Sequence, residues 1–291
     1  MEHFLRELRG LFTEEELFSI ARSLHDSYHP FIPESEVWTL LKFALPESVY
    51  ASIAKQSGSI VGHQLVNLII MNFYPGERVV KYYLARERIA TRNEVTAFEI
   101  KVNNSRLDVG RINGKSYAFE IKTELDSLIK LPKQLVDYSE VFEYVTVVAH
   151  ESHYEKLLSS VPEHCGIRVY SLAKGKYRFH NFRKPMPSPL LSAKSQINCL
   201  SSREMAFVLK SFGYDKSLQT REEREEAIYT HISERRINSF VKIVLKHRFS
   251  DKWSFVIKHF QDINPVDLQA FFASSADPYW VYYKNSSIVD R

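Results

Sequence analysis

Cysteine is nearly absent from this chain of 291 residues, with only Cys165 and Cys199. They lie far apart, with no C-x-x-C or zinc-ligand spacing, which excludes a disulfide framework and predicts buried thiols in a reducing compartment. Long apolar runs are also missing: the longest, Leu65–Met71, is broken by Asn67 and is too short to span a bilayer. Met1–Gly10 carries Glu2, Arg6, Glu7 and Arg9 in place of the apolar stretch of a signal peptide. The expectation is a soluble, cytoplasmic chain with no membrane partner. Charge of one sign is scarce as well, since the formal net charge of +4 permits a nucleic-acid partner without demanding one. No solenoid repeat is visible. One further absence matters below: no aspartate occurs between Asp26 and Asp108.

What is present reads as helix, then sheet, then helix. Thr13-Glu14-Glu15-Glu16 is a capping box followed by Leu17, Ile20, Ala21 and Leu24 at helical spacing. Glu34–Ala44, a stretch from Pro46 closed by Gly58, and Ser59–Phe73 are the next expected helices. After Gly76 the pattern changes. Val95–Val102, Arg106–Ile112 and Ser116–Lys122 read as strands joined by the hairpin signals Asn103-Asn104 and Asn113-Gly114. A helix over Leu128–Val141 follows, with Pro132 in its first turn, then strands at Tyr144–Ala149 and Ile167–Leu172 around a short helix at Tyr154–Leu158. Pro185–Pro189 reads as a linker. Beyond it, Ser201-x-x-Glu204, Thr220-x-x-Glu223 and Asn264-Pro265 announce helices. The expected division is a helical region at 1–75, an α/β core at 76–182 and an α-helical C-terminal domain at 190–291.

Two copies of one pentapeptide lie in the core, Ala97–Lys101 and Ala118–Lys122, both reading AFEIK and expected on neighbouring strands. Each sets a carboxylate and an ammonium on one face of a strand. The first copy has no aspartate upstream within hairpin reach; the second has Asp108, twelve positions before Glu120. A connecting loop with an odd number of residues puts Asp108 on the face of Glu120 and Lys122, whereas a two-residue loop puts it on the other. A two-residue loop at Asn103-Asn104 sets Glu99 across from Asp108. Carboxylates so close repel unless a cation compensates them, and a hard divalent ion such as Mg²⁺ is the natural solution. The bland alternative is a ladder of surface charges such as Glu99–Lys122.

Arg106-Leu107-Asp108 followed by Phe119-Glu120-Ile121-Lys122 resembles the PD-(D/E)xK nuclease superfamily, and Gln134-Leu135-Val136-Asp137-Tyr138 is similar to the Q-x-x-x-Y motif of its RecB-like branch. The run from Glu120 to Gln134 also resembles a group of bacterial and phage-associated nuclease-like proteins. The resemblance covers about residues 90–172 and implies a PD-(D/E)xK-like core, a mixed sheet flanked by helices, with α-helical N-terminal and C-terminal extensions. It implies that Asp108, Glu120 and the Ile121 carbonyl bind Mg²⁺ or Mn²⁺ and that Lys122 orients or deprotonates the attacking water. Glu99 would support a metal-bound water or a second ion, and Gln134 and Tyr138 would brace the site and contact substrate. Glu87 and Glu94 are candidates for the family's further acidic residue. Lys130 and Lys133 could contact phosphates or belong to a solvated helix face. The implied activity is metal-dependent hydrolysis of phosphodiester bonds in DNA. The alternatives are RNA cleavage, or a catalytically inactive nucleic-acid-binding or protein-interaction module on the same fold. The helical flanks are the expected surfaces for a homodimer or protein partner.

Weaker signals fall elsewhere. His150-Glu151-Ser152-His153 lacks the spacing that puts two zinc ligands on one helix face. Lys242, Lys246, His247, Arg248, Lys252, Lys258 and His259 form a basic stretch that could meet a nucleic-acid backbone, while the interleaved Phe240, Phe249, Trp253 and Phe260 read as core. Arg221–Glu226 reads as an exposed helix with internal ion pairs.

Overall fold

The computed structural model describes residues 2–55, 60–173, 176–214 and 218–273. The chain groups into two compact units, Met1–Arg86 with His259–Arg291, and Glu87–Lys258. Residues 190–258 therefore group with the sheet, and the rest of the expected C-terminal domain groups with the N-terminal helices. No helix among the described residues is long and apolar enough to cross a membrane.

The first unit is helical: α1 (Glu2–Leu11), α2 (Glu14–Ser27), α3 (Glu34–Ala44), α4 (Glu47–Ala54), α5 (Gly62–Phe73) and α6 (Glu77–Arg86). Thr13 and Glu16 form the expected capping box of α2. The expected helix end at Gly58 lies outside the described residues. The sequence gives no warning of α6, because charges separate its buried Val79, Val80, Leu84 and Ala85. Lys81 is buried with them and pairs with Glu77 one turn earlier. Among the described residues, short helical turns at Pro265–Asp267 and Ala270–Ala273 follow in the same unit. A buried polar network ties the first of these turns to α5. The Val266 amide donates to Asn67 Oδ1 at 2.8 Å, and the Asp267 carboxylate accepts from Asn67 Nδ2 at 3.1 Å and from Tyr28 Oη at 3.2 Å.

The second unit is a mixed α/β fold whose six-stranded sheet has the order β1 (Val95–Val102), β2 (Ser105–Ile112), β3 (Ser116–Lys122), β4 (Tyr144–His150), β5 (Gly166–Ala173) and β6 (Lys176–Arg183). β1, β2 and β3 are antiparallel neighbours, β3, β4 and β5 run parallel, and β6 returns antiparallel. The parallel crossovers carry α7 (Leu131–Ser139) and α8 (Tyr154–Ser160). Pro132 sits in the first turn of α7, where a missing N–H costs nothing. The two AFEIK copies are not neighbouring strands as expected, because β2 lies between them.

The C-terminal part of this unit is α9 (Ala193–Asn198), α10 (Ser202–Ser211), α11 (Arg221–His231) and α12 (Glu234–His259). Glu143, at the head of β4, fastens α12 to the sheet by accepting from Asn238 Nδ2 at 3.1 Å, Lys242 Nζ at 2.9 Å and the Ser116 amide at 2.8 Å. The expected linker is pinned across the unit: the amides of Met186 and Ser188, free to donate because proline occupies only alternate positions, bond His164 O and Glu143 O. Three cations of the basic stretch of α12 are engaged within the protein, while His247 and Lys258 are exposed. Lys242 is on Glu143, Lys246 on Asn93 O and Arg248 on Glu204, while Phe249 and Trp253 are buried.

Burial pushes the Asp267 carboxyl up to about 6 from its ordinary 3.8, against the opposite pull of its hydrogen bonds from Asn67, Asn264 and Tyr28. The folded chain therefore holds a proton that the unfolded chain has released between pH 3.8 and about 6. Stability falls as pH rises through that window and is level above it, by up to about 3 kcal/mol. Urea midpoints measured across the window are expected to show this decline in the wild type and to lose it in Asp267→Asn.

Candidate active site

The loop between β2 and β3 sets the geometry. Ile112 pairs with Ser116, so the hairpin loop is the three residues Asn113, Gly114 and Lys115, with Gly114 at φ 97°. The ladder runs from that pair to Val109↔Phe119. One step further the register sets Asp108 against Glu120, and there the ladder ends. Asp108 Oδ2 takes the place of a backbone acceptor, receiving the Ile121 N–H at 2.6 Å. On the other side of β2, Val102 pairs with Ser105 across the two-residue Asn103-Asn104 turn. That register brings Glu99 opposite Asp108, between the pairs Phe98↔Val109 and Ile100↔Leu107. Asp108 thus lies between two glutamates, one from each AFEIK copy. Glu99 and Asp108 offer carboxylate oxygens within 4.8 Å of each other.

Each acid at this place has a compensating group. Glu120 and Lys122 are both buried, and Lys122 Nζ donates to Glu120 Oε1 at 2.7 Å and to Gln134 Oε1 at 3.0 Å. Glu99 is paired with Arg106 at 2.6 Å. Tyr138, one turn after Gln134 on α7, donates to the Arg106 carbonyl at 3.0 Å and so holds β2 at the base of the site. Burial, with Glu120 and Asp108 close by, pushes the Tyr138 phenol far above its ordinary range, so it stays protonated. Lys130 and Lys133 stand exposed on the approach to α7 and its first turn, outside this set of hydrogen bonds.

Glu87 and Glu94 are not brought to the site. Glu94 is held by Arg88 through two bonds of 2.7 Å, and Glu87 by Arg168. Burial alone would raise the Glu94 carboxyl, but Arg88 and Arg111 outweigh it and hold it low. Arg111 stacks 4.4 Å from the Phe119 ring and belongs, by strand alternation, to the face away from Asp108. Arg106 meets Glu99 across the Asn103-Asn104 turn, a pairing the sequence reading missed. Two further contributors carry no signal in the sequence because their partners are remote: Ser105 on Asp137 at 2.6 Å, and His153, whose Nε2 lies 2.8 Å from Thr123 O. The last of these comes from the His-Glu-Ser-His segment and braces the end of β3.

The donors gathered here are carboxylates, an oxygen set that suits a hard divalent cation. Fold and side chains together define a mixed α/β protein with a carboxylate–lysine cluster on its sheet. The model of the family described as Bacteriophage P4 protein cII matches residues 77–271, and the chain belongs to that family. Protein cII of Enterobacteria phage P4 is 26% identical to it over 144 residues, 50% of this chain and 54% of the relative. The chain thus spans about half the length of the curated relative it matches. No solved structure matches it.

Removing one partner of the buried Glu120–Lys122 pair leaves the other uncompensated. Glu120→Ala is expected to lower unfolding free energy by about 3 kcal/mol. Adding Lys122→Met to that variant should restore much of the loss in denaturant melts, because the stranded charge is gone.

Proposed function

We propose that this chain is a metal-dependent nuclease that hydrolyses phosphodiester bonds in DNA on a PD-(D/E)xK-like core. The observation that carries the reading is the meeting of Asp108, Glu120 and Lys122 on one face where β2 parts from β3, with Gln134 on the lysine. The order of three antiparallel strands, a helix and a parallel strand is the one the sequence resemblance calls for.

Asp108, Glu120 and the Ile121 carbonyl would hold Mg²⁺ or Mn²⁺, with Glu99 beside them. Bound there, the ion supplies positive charge to phosphate oxygens and acidifies a water. Lys122, held between Glu120 and Gln134, is placed to orient the attacking water and to offset charge that builds on the phosphate. Gln134 fixes the lysine by a bond that needs no change of charge. Tyr138 stays neutral and keeps Arg106 and Asp108 on a fixed backbone.

Purified chain incubated with plasmid DNA, linear DNA or RNA, in Mg²⁺, Mn²⁺ or EDTA, tests this. Cleavage of DNA is expected with either ion and not with EDTA, and Asp108→Ala and Lys122→Ala should each lower it by about 100-fold or more. No metal-dependent cleavage, or equal cleavage by these variants, overturns the nuclease reading; DNA binding without turnover would then point to the binding module.

A further inference from the structure

The connection from β3 to α7, residues 123–130, leaves the site at Lys122 and returns to it at Gln134, early in α7. It is held by its own hydrogen bonds. The Thr123 amide and hydroxyl each donate to Asp126 Oδ2 at 2.7 Å, and the Asp126 amide donates back to Thr123 O at 3.1 Å. Further along, the Ile129 amide donates to Ser127 Oγ at 3.3 Å and the Leu131 amide to Leu128 O at 3.0 Å. This well-bonded chain presents two apolar side chains to solvent. Ile129 is 88% exposed and Leu125 49%, while Leu131 and Leu135 of the adjoining helix are buried. Lys130 and Lys133 are exposed near Ile129, and Val136, one turn beyond Lys133 on α7, is exposed as well. A single exposed aliphatic side chain is ordinary. Here two are fixed on one loop at the rim of the carboxylate–lysine cluster, with two cations in the same stretch.

We propose that Leu125 and Ile129 form an apolar wedge that enters the base stack of bound duplex DNA, with Lys130 and Lys133 on the flanking phosphates. Burying an exposed leucine or isoleucine is favourable against another apolar surface, and a parted base step supplies one. A lysine ammonium is a point charge on a flexible stem, which suits phosphates that move as the stack opens. The loop's own hydrogen bonds are already made, so insertion requires little further ordering of the chain. The loop begins at Lys122 and leads to Gln134, so a base step parted by it lies beside the cluster. The choice of DNA as the occupant rests on the nuclease reading of that cluster.

The test mixes the full chain with a short duplex carrying 2-aminopurine, a base whose fluorescence rises on unstacking, at several places along one strand. EDTA is present so that no metal-dependent cleavage intervenes. The wild type is expected to raise the fluorescence at saturation. Leu125→Ser combined with Ile129→Ser should lose most of that rise, and Ile129→Leu, which is still a wedge, should keep it. Lys130→Gln and Lys133→Gln should each weaken binding, read by anisotropy of a labelled duplex, and reduce its salt slope by about 1. The substituted side chains are exposed, so thermal midpoints should stay near that of the wild type. No binding, binding without a rise, a wild-type rise in the double variant, or wild-type salt slopes in both lysine variants overturns the proposal even if the wild type cleaves DNA with Mg²⁺. Self-association of the wild type that the double variant loses, with no rise on DNA, overturns it in favour of a protein contact. A rise that depends on Leu125 and Ile129 in a chain that never cleaves overturns the nuclease reading and leaves the wedge standing.

Discussion

Side chains alternate faces along a strand, so the length of a hairpin loop decides which of them can meet. Here the loop is Asn113–Lys115, and its odd count brings Asp108 to the face of Glu120 and Lys122. With one residue fewer, the same strands would carry Asp108 toward Phe119 and Ile121, and it would not meet Glu120 and Lys122. Gly114, with its positive φ, lets the backbone take this turn without strain. The hydrogen bond from the Ile121 amide to Asp108 depends on that register and in turn marks where β2 leaves β3.

Charge is balanced separately on the two faces of the sheet. On the Asp108 face, Glu120 is met by Lys122 and Glu99 by Arg106. On the other face, Arg111 lies among Glu94, Arg88, Glu87 and Arg168, and burial pushes its guanidinium down to about 10 against the pull of Glu94. Neighbouring acids are thus paired differently. Arg88 grips Glu94 through two hydrogen bonds and is 32% exposed, whereas Arg106 on Glu99 is 74% exposed. The family match covers both faces and the helices from α6 to α12, so the whole arrangement lies within the region shared with the phage P4 cII family.

Much of the secondary structure is legible locally. Capping boxes at Thr13, Ser201 and Thr220 are all made, and β1 and β3 fall at the residues that alternation marks. The losses have physical causes. In α6 a buried Lys81 breaks the apolar stripe, and its pairing with Glu77 helps to compensate that burial. β6, Lys–Tyr–Arg–Phe–His–Asn–Phe–Arg, is an edge strand whose polar residues hide its alternation. The proline-rich segment looks like a linker because it cannot form a helix or strand, but its remaining amides find carbonyls on the sheet unit. Basic residues of α12 read as a surface stripe, while long-range acceptors such as Glu143 and Asn93 draw them inward.

The doubled AFEIK separates what sequence determines from what tertiary structure decides. Each copy determines a strand with glutamate and lysine on one face, because period two follows from the backbone alone. Their fates then diverge with identical residues. Lys101 is exposed on β1, whereas Lys122 is buried between Glu120 and Gln134. Glu99 turns into the left-handed region beside Arg106, while Glu120 keeps the strand and pairs with its own lysine. β1 is an edge of the sheet; β3 lies between β2 and β4, with α7 supplying Gln134. Local sequence cannot encode which neighbours a strand will have, and those neighbours supply the burial and partners that set the two copies apart.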